Sequence, residues 1–82
     1  MKYNPFFTKK FSKTYSKLNF EMKNKMDKKI KKLCEYPMLG KPMKNKLKGL
    51  RRVHIGHFIL LYQIENDKVI FYKFDHHDSA YL

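Results

Sequence analysis

The sequence predicts an α+β domain with the element order β-α-α-β-β-β. In the first half of its 82 residues, apolar side chains recur three and four positions apart, which is the spacing of one helix face. After a loop with proline and glycine, the pattern changes to runs rich in β-branched and aromatic residues, which favour strands. We expect a short N-terminal strand, a helical hairpin and a three-stranded antiparallel meander. These elements should form one small sheet with helices on one face, in a single domain spanning residues 1–82.

The N-terminal half supplies the first strand and both helices. Residues 2–7 are predicted as a short strand, and Pro5 indicates a strand end or a sheet edge. Thr8 is the expected N-cap of the first helix and Asn19 that of the second, where Glu21 suits the positive end of the helix dipole. The apolar stripes are Phe7, Phe11, Tyr15 and Leu18 in the first helix, and Met22, Met26, Ile30, Leu33 and Cys34 in the second.

The C-terminal half supplies the meander. Because the residue before a proline disfavours the helical region, the second helix should end near Glu35 or Tyr36. A loop follows over residues 37–45, which contain two prolines and a glycine. The predicted strands are residues 50–55, 58–64 and 69–74.

Two turns set the expected strand register. Gly56-His57 suits a two-residue turn with glycine first, and Asn66-Asp67 suits a turn with two positive φ angles. The resulting pairs are Ile55 with Phe58, His54 with Ile59, Arg52 with Leu61, Glu65 with Lys68, Leu61 with Tyr72, and Ile59 with Phe74. Alternation then predicts a nearly apolar face that receives the helices: Val53, Ile55, Phe58, Leu60, Tyr62, Ile64, Val69 and Phe71. The opposite face resembles a nucleic-acid platform and carries Arg52, His54, Ile59, Leu61, Gln63, Ile70, Tyr72 and Phe74.

The charge balance favours polyanionic partners. The chain has 19 Lys and Arg against 7 acids, a formal net charge of +12. Nucleic acid is the first candidate partner, although the lysines also fit the composition of an AT-rich genome. Cys34 lies in a helical apolar pattern, so we expect a buried thiol in a reducing, cytoplasmic setting. No apolar run has the roughly 18 residues of a membrane span, and the N-terminus lacks the order of a signal peptide.

The C-terminal segment concentrates groups that can move protons. It reads Asp75-His76-His77-Asp78-Ser79-Ala80-Tyr81-Leu82. An unperturbed imidazole titrates near pH 6.5 and can act as acid or base. A metal site is disfavoured here, because adjacent residues on an extended chain point apart, and we expect no metal and no cofactor. Asp75 and Asp78 are expected to orient an imidazole or to cap a turn.

Two longer segments carry a family resemblance. They are Pro37-Met38-Leu39-Gly40-Lys41-Pro42-Met43 and Leu47-Lys48-Gly49-Leu50-Arg51-Arg52-Val53-His54-Ile55-Gly56-His57-Phe58, followed by the Tyr62 strand and a terminal His-x-x-x-x-Tyr from His76 to Tyr81. In order and spacing this is similar to the RelE/ParE toxin superfamily. Three positions that hold arginine in the family are His54, Ile59 and His77 here, which resembles the histidine-using members of the RelE branch.

The resemblance implies a type II toxin. Members of the RelE branch cleave mRNA on the ribosome and are silenced by a cognate acidic antitoxin, so we expect an endoribonuclease whose partners are the ribosome, mRNA and an antitoxin in a hetero-oligomer. The ParE branch poisons DNA gyrase, so the alternative is a non-catalytic gyrase inhibitor or a degenerate toxin that only binds an antitoxin.

The candidate site residues follow from the needs of metal-free RNA cleavage: a base, an acid and positive charge. The catalytic candidates are His54, His77, Tyr81 and Arg52, and the RNA- or phosphate-binding candidates are Lys46, Lys48, Arg51 and His76. Alternation along the strand puts His76 on the same face as His54. The family motif instead places His77 at an arginine position. A bulge in the strand would reconcile these two assignments. The structural alternatives are a solvated sheet face, surface histidines and a terminal aromatic packed on the sheet.

Overall fold

The computed structural model describes residues 2–80, and it has the predicted α+β architecture. The elements in chain order are β1 (Asn4–Phe7), α1 (Lys9–Ser16), α2 (Phe20–Glu35), β2 (Lys41–Pro42), β3 (Arg51–Ile55), β4 (Phe58–Glu65) and β5 (Lys68–His76). Short 3₁₀ helices at Pro37–Leu39 and Asn45–Leu47 flank β2. Within residues 2–80, no helix is long and apolar enough to cross a membrane.

Both helices begin at the expected caps. The Thr8 hydroxyl accepts a hydrogen bond of 3.0 Å from the N–H of Phe11, and the Asn19 side chain accepts one of 2.8 Å from the N–H of Met22. These contacts satisfy N–H groups that the first helical turn leaves without a partner. The second helix ends at Glu35, as the following proline predicts.

The sheet has five strands in the order β1-β5-β4-β3-β2. β1 pairs in parallel with β5, and the other pairs are antiparallel. β2 lies in the segment that the sequence predicted to be a loop, because two residues are too few for an alternating pattern. It covers only the Arg51–Arg52 end of β3, so among the described residues no strand pairs with the edge of β3 beyond this point.

The helices cover one face of the sheet, as expected. The aromatic side chains of β5 and α1 meet there: the ring of Phe11 lies 5.2 Å from that of Phe74 and 5.9 Å from that of Phe71. The buried members of this core are Phe11, Met26, Ile30, Leu33, Cys34, Ile55, Leu60, Tyr62, Val69, Phe71 and Phe74.

The predicted register is confirmed between β3 and β4 and at the start of the second hairpin, but it fails along the rest of β5. Tyr62 pairs with Phe71, whereas Leu61 pairs with Lys73. The strand therefore bulges at Tyr72, and every later residue of β5 changes face relative to the prediction. Phe74 consequently lies in the helix-covered core instead of on the opposite face.

The bulge has a visible partner at the start of α1. The Thr8 hydroxyl donates a hydrogen bond to the carbonyl of Tyr72, and the Thr8 N–H donates one of 3.2 Å to the carbonyl of Phe71. Thr8 lies between β1 and α1 and is 64 residues away in sequence from Tyr72. The irregularity is thus tied to a long-range contact that the hairpin turns do not encode.

The two turns differ in how closely they follow the prediction. Gly56 has a φ of 59°, as its place in the first turn requires. In the second turn Asn66 has a φ of 56°, but Asp67 does not adopt the second positive φ. The Asp67 carbonyl accepts a hydrogen bond of 2.8 Å from the N–H of Asn4, which ties this turn to the start of β1.

Candidate active site on the second sheet face

The centre of the sheet face opposite the helices is a small second core. Ile59 and Leu61 are 1% and 0% exposed. The residues packed against them are Ala80, Met43, Leu47 and Leu50. The centre of the face that resembled a nucleic-acid platform is therefore covered, because the segment after β2 and the C-terminal turn fold over these two side chains.

Two cations flank this core in one row across the sheet. Arg52 pairs with Leu61 from β3, and Lys73 pairs with Leu61 from β5. Lys73 is only 6% exposed, which is rare for a lysine. Sequence reasoning missed Lys73, because the register without the bulge places Tyr72 opposite Leu61.

His54 lies in the next row on the same face. It pairs with Ile59, which pairs with Asp75 on the other side. His54 and Arg52 are two positions apart in β3, so their side chains leave the strand on the same side. His54 is exposed and Arg52 is half-buried. The structure thus brings these two candidates together as predicted.

The loop between β2 and β3 brings two more predicted cations to this face. Leu47 packs against the Ile59 and Leu61 core, and its neighbours Lys46 and Lys48 are exposed. The packing of Leu47 therefore brings the backbone of both lysines to the edge of the face that carries Arg52. Positive charge gathered along one side of a domain is the pattern that attracts a phosphate backbone.

Arg51 lies on the other side of β3 from its neighbour. Its Nη1 donates a hydrogen bond of 2.6 Å to the carbonyl of Gly40 and one of 3.4 Å to that of Met38. This guanidinium ties the 3₁₀ segment before β2 to the sheet. The predicted phosphate-binding role of Arg51 stays a prediction, and the structure assigns its guanidinium these backbone partners.

The terminal histidines lie where the strand ends. His76 pairs with Phe58, and its ring meets the Phe58 ring edge-on at 5.8 Å. Because of the bulge at Tyr72, His76 leaves β5 on the helix-covered side, so the parity argument that put it beside His54 is wrong. Asp75 takes that place instead, half-buried opposite Ile59.

The chain turns sharply after β5. The His77 N–H donates a hydrogen bond of 2.9 Å to the carbonyl of His57, and the Ser79 N–H donates one of 2.9 Å to the carbonyl of His76. This turn directs the chain back over the second sheet face, where Ala80 is buried against Ile59 and Leu61. Tyr81, the fourth catalytic candidate, lies outside the described residues.

The same turn gathers possible metal ligands. Within residues 2–80, one cluster offers three such side chains: His76, His77 and Asp78, whose ligand atoms all lie within 4.8 Å of one another. All three residues are exposed. The expectation that no metal binds here relied on an extended chain whose adjacent residues point apart, and the structure has a turn from His77 onward instead. That reason for the expectation therefore does not hold.

The fold and this face define a small basic α+β domain with a cationic row beside a histidine. Residues 2–81 match the model of the ParE toxin of the type II toxin–antitoxin system parDE. The chain therefore belongs to this family, and the resemblance to the RelE/ParE superfamily is confirmed.

One curated relative is a candidate toxin, RelE4, of Methanocaldococcus jannaschii. It is 40% identical over 57 residues, which are 66% of this chain and 61% of that protein. The chain thus spans less than two thirds of the length of the curated relative that it matches.

Solved structures share the fold over nearly the whole chain. The toxin–antitoxin complex RelBE2 of Mycobacterium tuberculosis superposes with a TM-score of 0.83 and 25% identity, covering 94% of this chain and 100% of that one. The intact E. coli RelBE complex gives a TM-score of 0.76 with 18% identity, covering 90% and 95%. At this identity the E. coli likeness supports the fold alone.

Proposed function

We propose that this chain is the toxin of a type II toxin–antitoxin pair and a ribosome-dependent mRNA endonuclease that inhibits translation. The observation that carries the proposal is the placement of Arg52 and His54 side by side on the second sheet face, with Lys73 in the same row as Arg52. An imidazole next to fixed positive charge is what metal-free cleavage of RNA requires. Because this cleavage takes place on the ribosome, we propose that the protein acts in the cytoplasm.

The proposed chemistry needs two proton transfers. A base takes the proton of a ribose 2′-OH, and the 2′ oxygen forms a bond to the adjacent phosphorus. The bond from phosphorus to the 5′ oxygen breaks, and an acid protonates that leaving oxygen. His54 and His77 are the proposed proton-transfer residues, with Tyr81 as a third candidate.

Positive charge stabilises the negative charge that develops on the phosphate oxygens in the transition state. Arg52 is the proposed catalytic cation, because its half-buried guanidinium lies on the face of His54. Lys73 adds charge from the same row, where low exposure strengthens electrostatic interactions. Lys46 and Lys48, exposed on the adjacent loop, are proposed to hold the RNA backbone, with Arg51 and His76 as weaker candidates for that role.

The test is cleavage of mRNA on programmed ribosomes by the purified chain. We expect wild type to cut the message, and His54→Ala and His77→Ala each to slow cleavage by about 10²-fold or more, the usual contribution of a general acid or base. His57→Ala is the matched control, because this exposed histidine lies in the β3–β4 turn and has no proposed role. Intact mRNA with the wild-type chain would refute the proposal.

A second candidate function is gyrase inhibition. The observation that favours it is the family model that matches the chain, which is that of the ParE toxin. This function needs no proton-transfer residue. DNA breaks that depend on gyrase, with intact mRNA, would establish it, and histidine substitutions would then leave toxicity unchanged. Loss of both activities, with antitoxin binding retained, would identify a degenerate toxin.

The proposed partner is an acidic antitoxin in a hetero-oligomer. The M. tuberculosis chain with this fold is part of a toxin–antitoxin complex, and the net charge of +12 here favours an acidic partner. Disordered acidic segments can wrap a large surface and order on binding. Co-expression with the product of a small acidic reading frame abutting this gene tests the pairing, and rescue of growth with a co-purifying complex is the expected result.

A further inference from the structure

We propose that His76, His77 and Asp78 form a binding site for a divalent transition-metal ion of the Zn²⁺ class. The site lies at the end of β5, where the chain leaves the sheet. Nothing in the cleavage chemistry proposed above calls for a metal here. The inference rests on the positions of three side chains and on what surrounds them.

The distances between the candidate ligand atoms are close to those of a metal site. Nδ1 of His76 lies 3.8 Å from Oδ2 of Asp78, and Nε2 of His77 lies 3.4 Å from Oδ1 of Asp78. In a tetrahedral zinc site with metal–ligand bonds of about 2.0–2.1 Å, neighbouring ligand atoms are roughly 3.3 Å apart. All three ligand atoms of the cluster lie within 4.8 Å of one another, so the exposed side chains must change rotamer to draw together around an ion.

The backbone explains why three consecutive residues converge. The strand ends at His76, and the Ser79 N–H closes a turn onto the His76 carbonyl at 2.9 Å. A second hydrogen bond joins the His77 N–H to the carbonyl of His57 in the neighbouring hairpin. These two hydrogen bonds fix the backbone of the turn. Less conformational entropy is therefore lost when its side chains bind an ion.

The donor set selects the class of ion. Two imidazoles and one carboxylate suit Zn²⁺ and its neighbours in the first transition row, whereas Mg²⁺ and Ca²⁺ prefer oxygen ligands alone. A fourth position is open to water. Three protein ligands with an open position are a common arrangement for zinc.

Occupancy of the site has a consequence that rests on the proposed function. A nitrogen that donates its lone pair to a metal ion cannot take up a proton, so a bound ion removes His77 from proton transfer. The ion would thus inhibit cleavage. The metal site itself does not depend on this consequence, since binding is measured without RNA.

The experiment for the site is titration of the purified, metal-free chain with Zn²⁺, followed by calorimetry and by the imidazole signals in an ¹H–¹⁵N spectrum. We expect saturable binding of one ion and shifts at His76 and His77 but not at His54. Asp78→Asn, which keeps the shape of the side chain, should weaken binding by at least about tenfold. Asp75→Asn is the matched control, because the Asp75 carboxylate lies outside the cluster and its one contact there, a hydrogen bond of 3.1 Å from the His76 N–H, can also be accepted by an asparagine oxygen.

The outcomes separate the site from its consequence. Absence of saturable binding, or equal loss in Asp75→Asn and Asp78→Asn, overturns the metal site. Inhibition is measured as the cleavage rate with Zn²⁺ divided by the rate without it. We expect this ratio to be well below one for wild type and much closer to one for Asp78→Asn. Equal ratios overturn the inhibition. A chain that binds Zn²⁺ but never cleaves mRNA refutes the proposed function and leaves the site intact.

Discussion

The N–H of Gly40 donates a hydrogen bond of 2.8 Å to the hydroxyl of Tyr62. The same hydroxyl donates one of 2.6 Å to the carbonyl of Pro37, and Tyr62 is fully buried. One phenol in the middle of β4 therefore holds both ends of the turn that leads into β2. The Pro-x-x-Gly segment of the family pattern has a structural purpose here, since it positions the chain next to Arg52 in β3.

The first prediction concerns this phenol. Tyr62→Phe leaves the Gly40 N–H and the Pro37 carbonyl without their partner in a buried place, which should lower the free energy of unfolding by about 1–3 kcal/mol. Tyr72→Phe is the matched control, because Tyr72 is 43% exposed. Its effect should stay within about 0.5 kcal/mol. Urea denaturation measures both, and equal effects would contradict the role of the Tyr62 hydroxyl.

The second prediction concerns the space at Gly40. A Cβ atom there would lie 2.5 Å from the Tyr62 hydroxyl and 2.7 Å from the carbonyl oxygen of Arg52. Since a backbone atom cannot rotate away, Gly40→Ala should destabilise the fold by about 1–3 kcal/mol. In a Tyr62→Phe background part of this cost should disappear, because the contact with the hydroxyl is removed, while the contacts with the Arg52 carbonyl and with the ring carbon Cε1 at 2.8 Å remain. A double-mutant cycle by urea denaturation measures the coupling, and strict additivity would count against this geometry.

The third prediction is a pH dependence. Burial raises the pKa of the Tyr62 phenol above 10.0, although the Gly40 hydrogen bond and the Arg51 charge oppose this shift. The folded state thus holds this proton more tightly than the unfolded chain does. The contribution of this proton to the free energy of unfolding is fully present below the pKa of the unfolded chain, about 10. It is lost as the pH rises through the pKa of Tyr62 in the folded state.

The wild-type chain should therefore lose stability above pH ~10 more steeply than Tyr62→Phe does. The pKa of Tyr15 is also raised, through its hydrogen bond to Asp27, but Tyr15 is present in both chains and its effect cancels in the comparison. Denaturation midpoints at a series of alkaline pH values test this. Parallel curves would show that Tyr62 does not titrate with folding.

The fourth prediction tests the bulge at Tyr72. In the structure Phe74 is 2% exposed and contacts Phe11 and Phe58, whereas Tyr72 is 43% exposed. Phe74→Ala should therefore cost about 3–5 kcal/mol, and Tyr72→Ala should cost far less. Both variants are measured by urea denaturation. A register without the bulge would bring the two effects close together, because both rings would then lie on the opposite sheet face.

The fifth prediction concerns RNA attraction. Lys46→Ala should weaken binding of single-stranded RNA and reduce the slope of log affinity against log salt by roughly 0.7, the value for one lost phosphate contact. Lys10→Ala is the control, because Lys10 is exposed on α1, which packs against the other side of the sheet. Binding measured at several salt concentrations gives both slopes. Equal slopes for the two variants would mean attraction by net charge alone.

Local features of the fold could be predicted because their causes are local. The helix caps depend on a side chain three residues from the N–H that it accepts, as at Thr8 and Asn19. The helix stripes depend on a spacing of three or four residues, and the β3–β4 register depends on a glycine turn between adjacent strands. The chain also encodes Arg52 and His54 on one face, since they are two positions apart in one strand.

The composition of the candidate site beyond β3 depends on contacts between distant residues. Lys73 and Asp75 reach the second sheet face, and His76 leaves it, because β5 bulges at Tyr72. That bulge meets Thr8 across 64 residues of sequence. The turn that brings Asp78 near His76 and His77 likewise depends on a hydrogen bond to the other hairpin.

The sequence by itself therefore determined the α+β class, the family, the helices and the pair formed by Arg52 and His54. Only the tertiary structure decided the parallel pairing of β1 with β5, the face of each residue after Tyr72, and the cluster at the end of the sheet. The physical reason is the period of a strand. A shift of one residue reverses every later side chain, and here the shift lies where β5 contacts Thr8, 64 residues away in sequence.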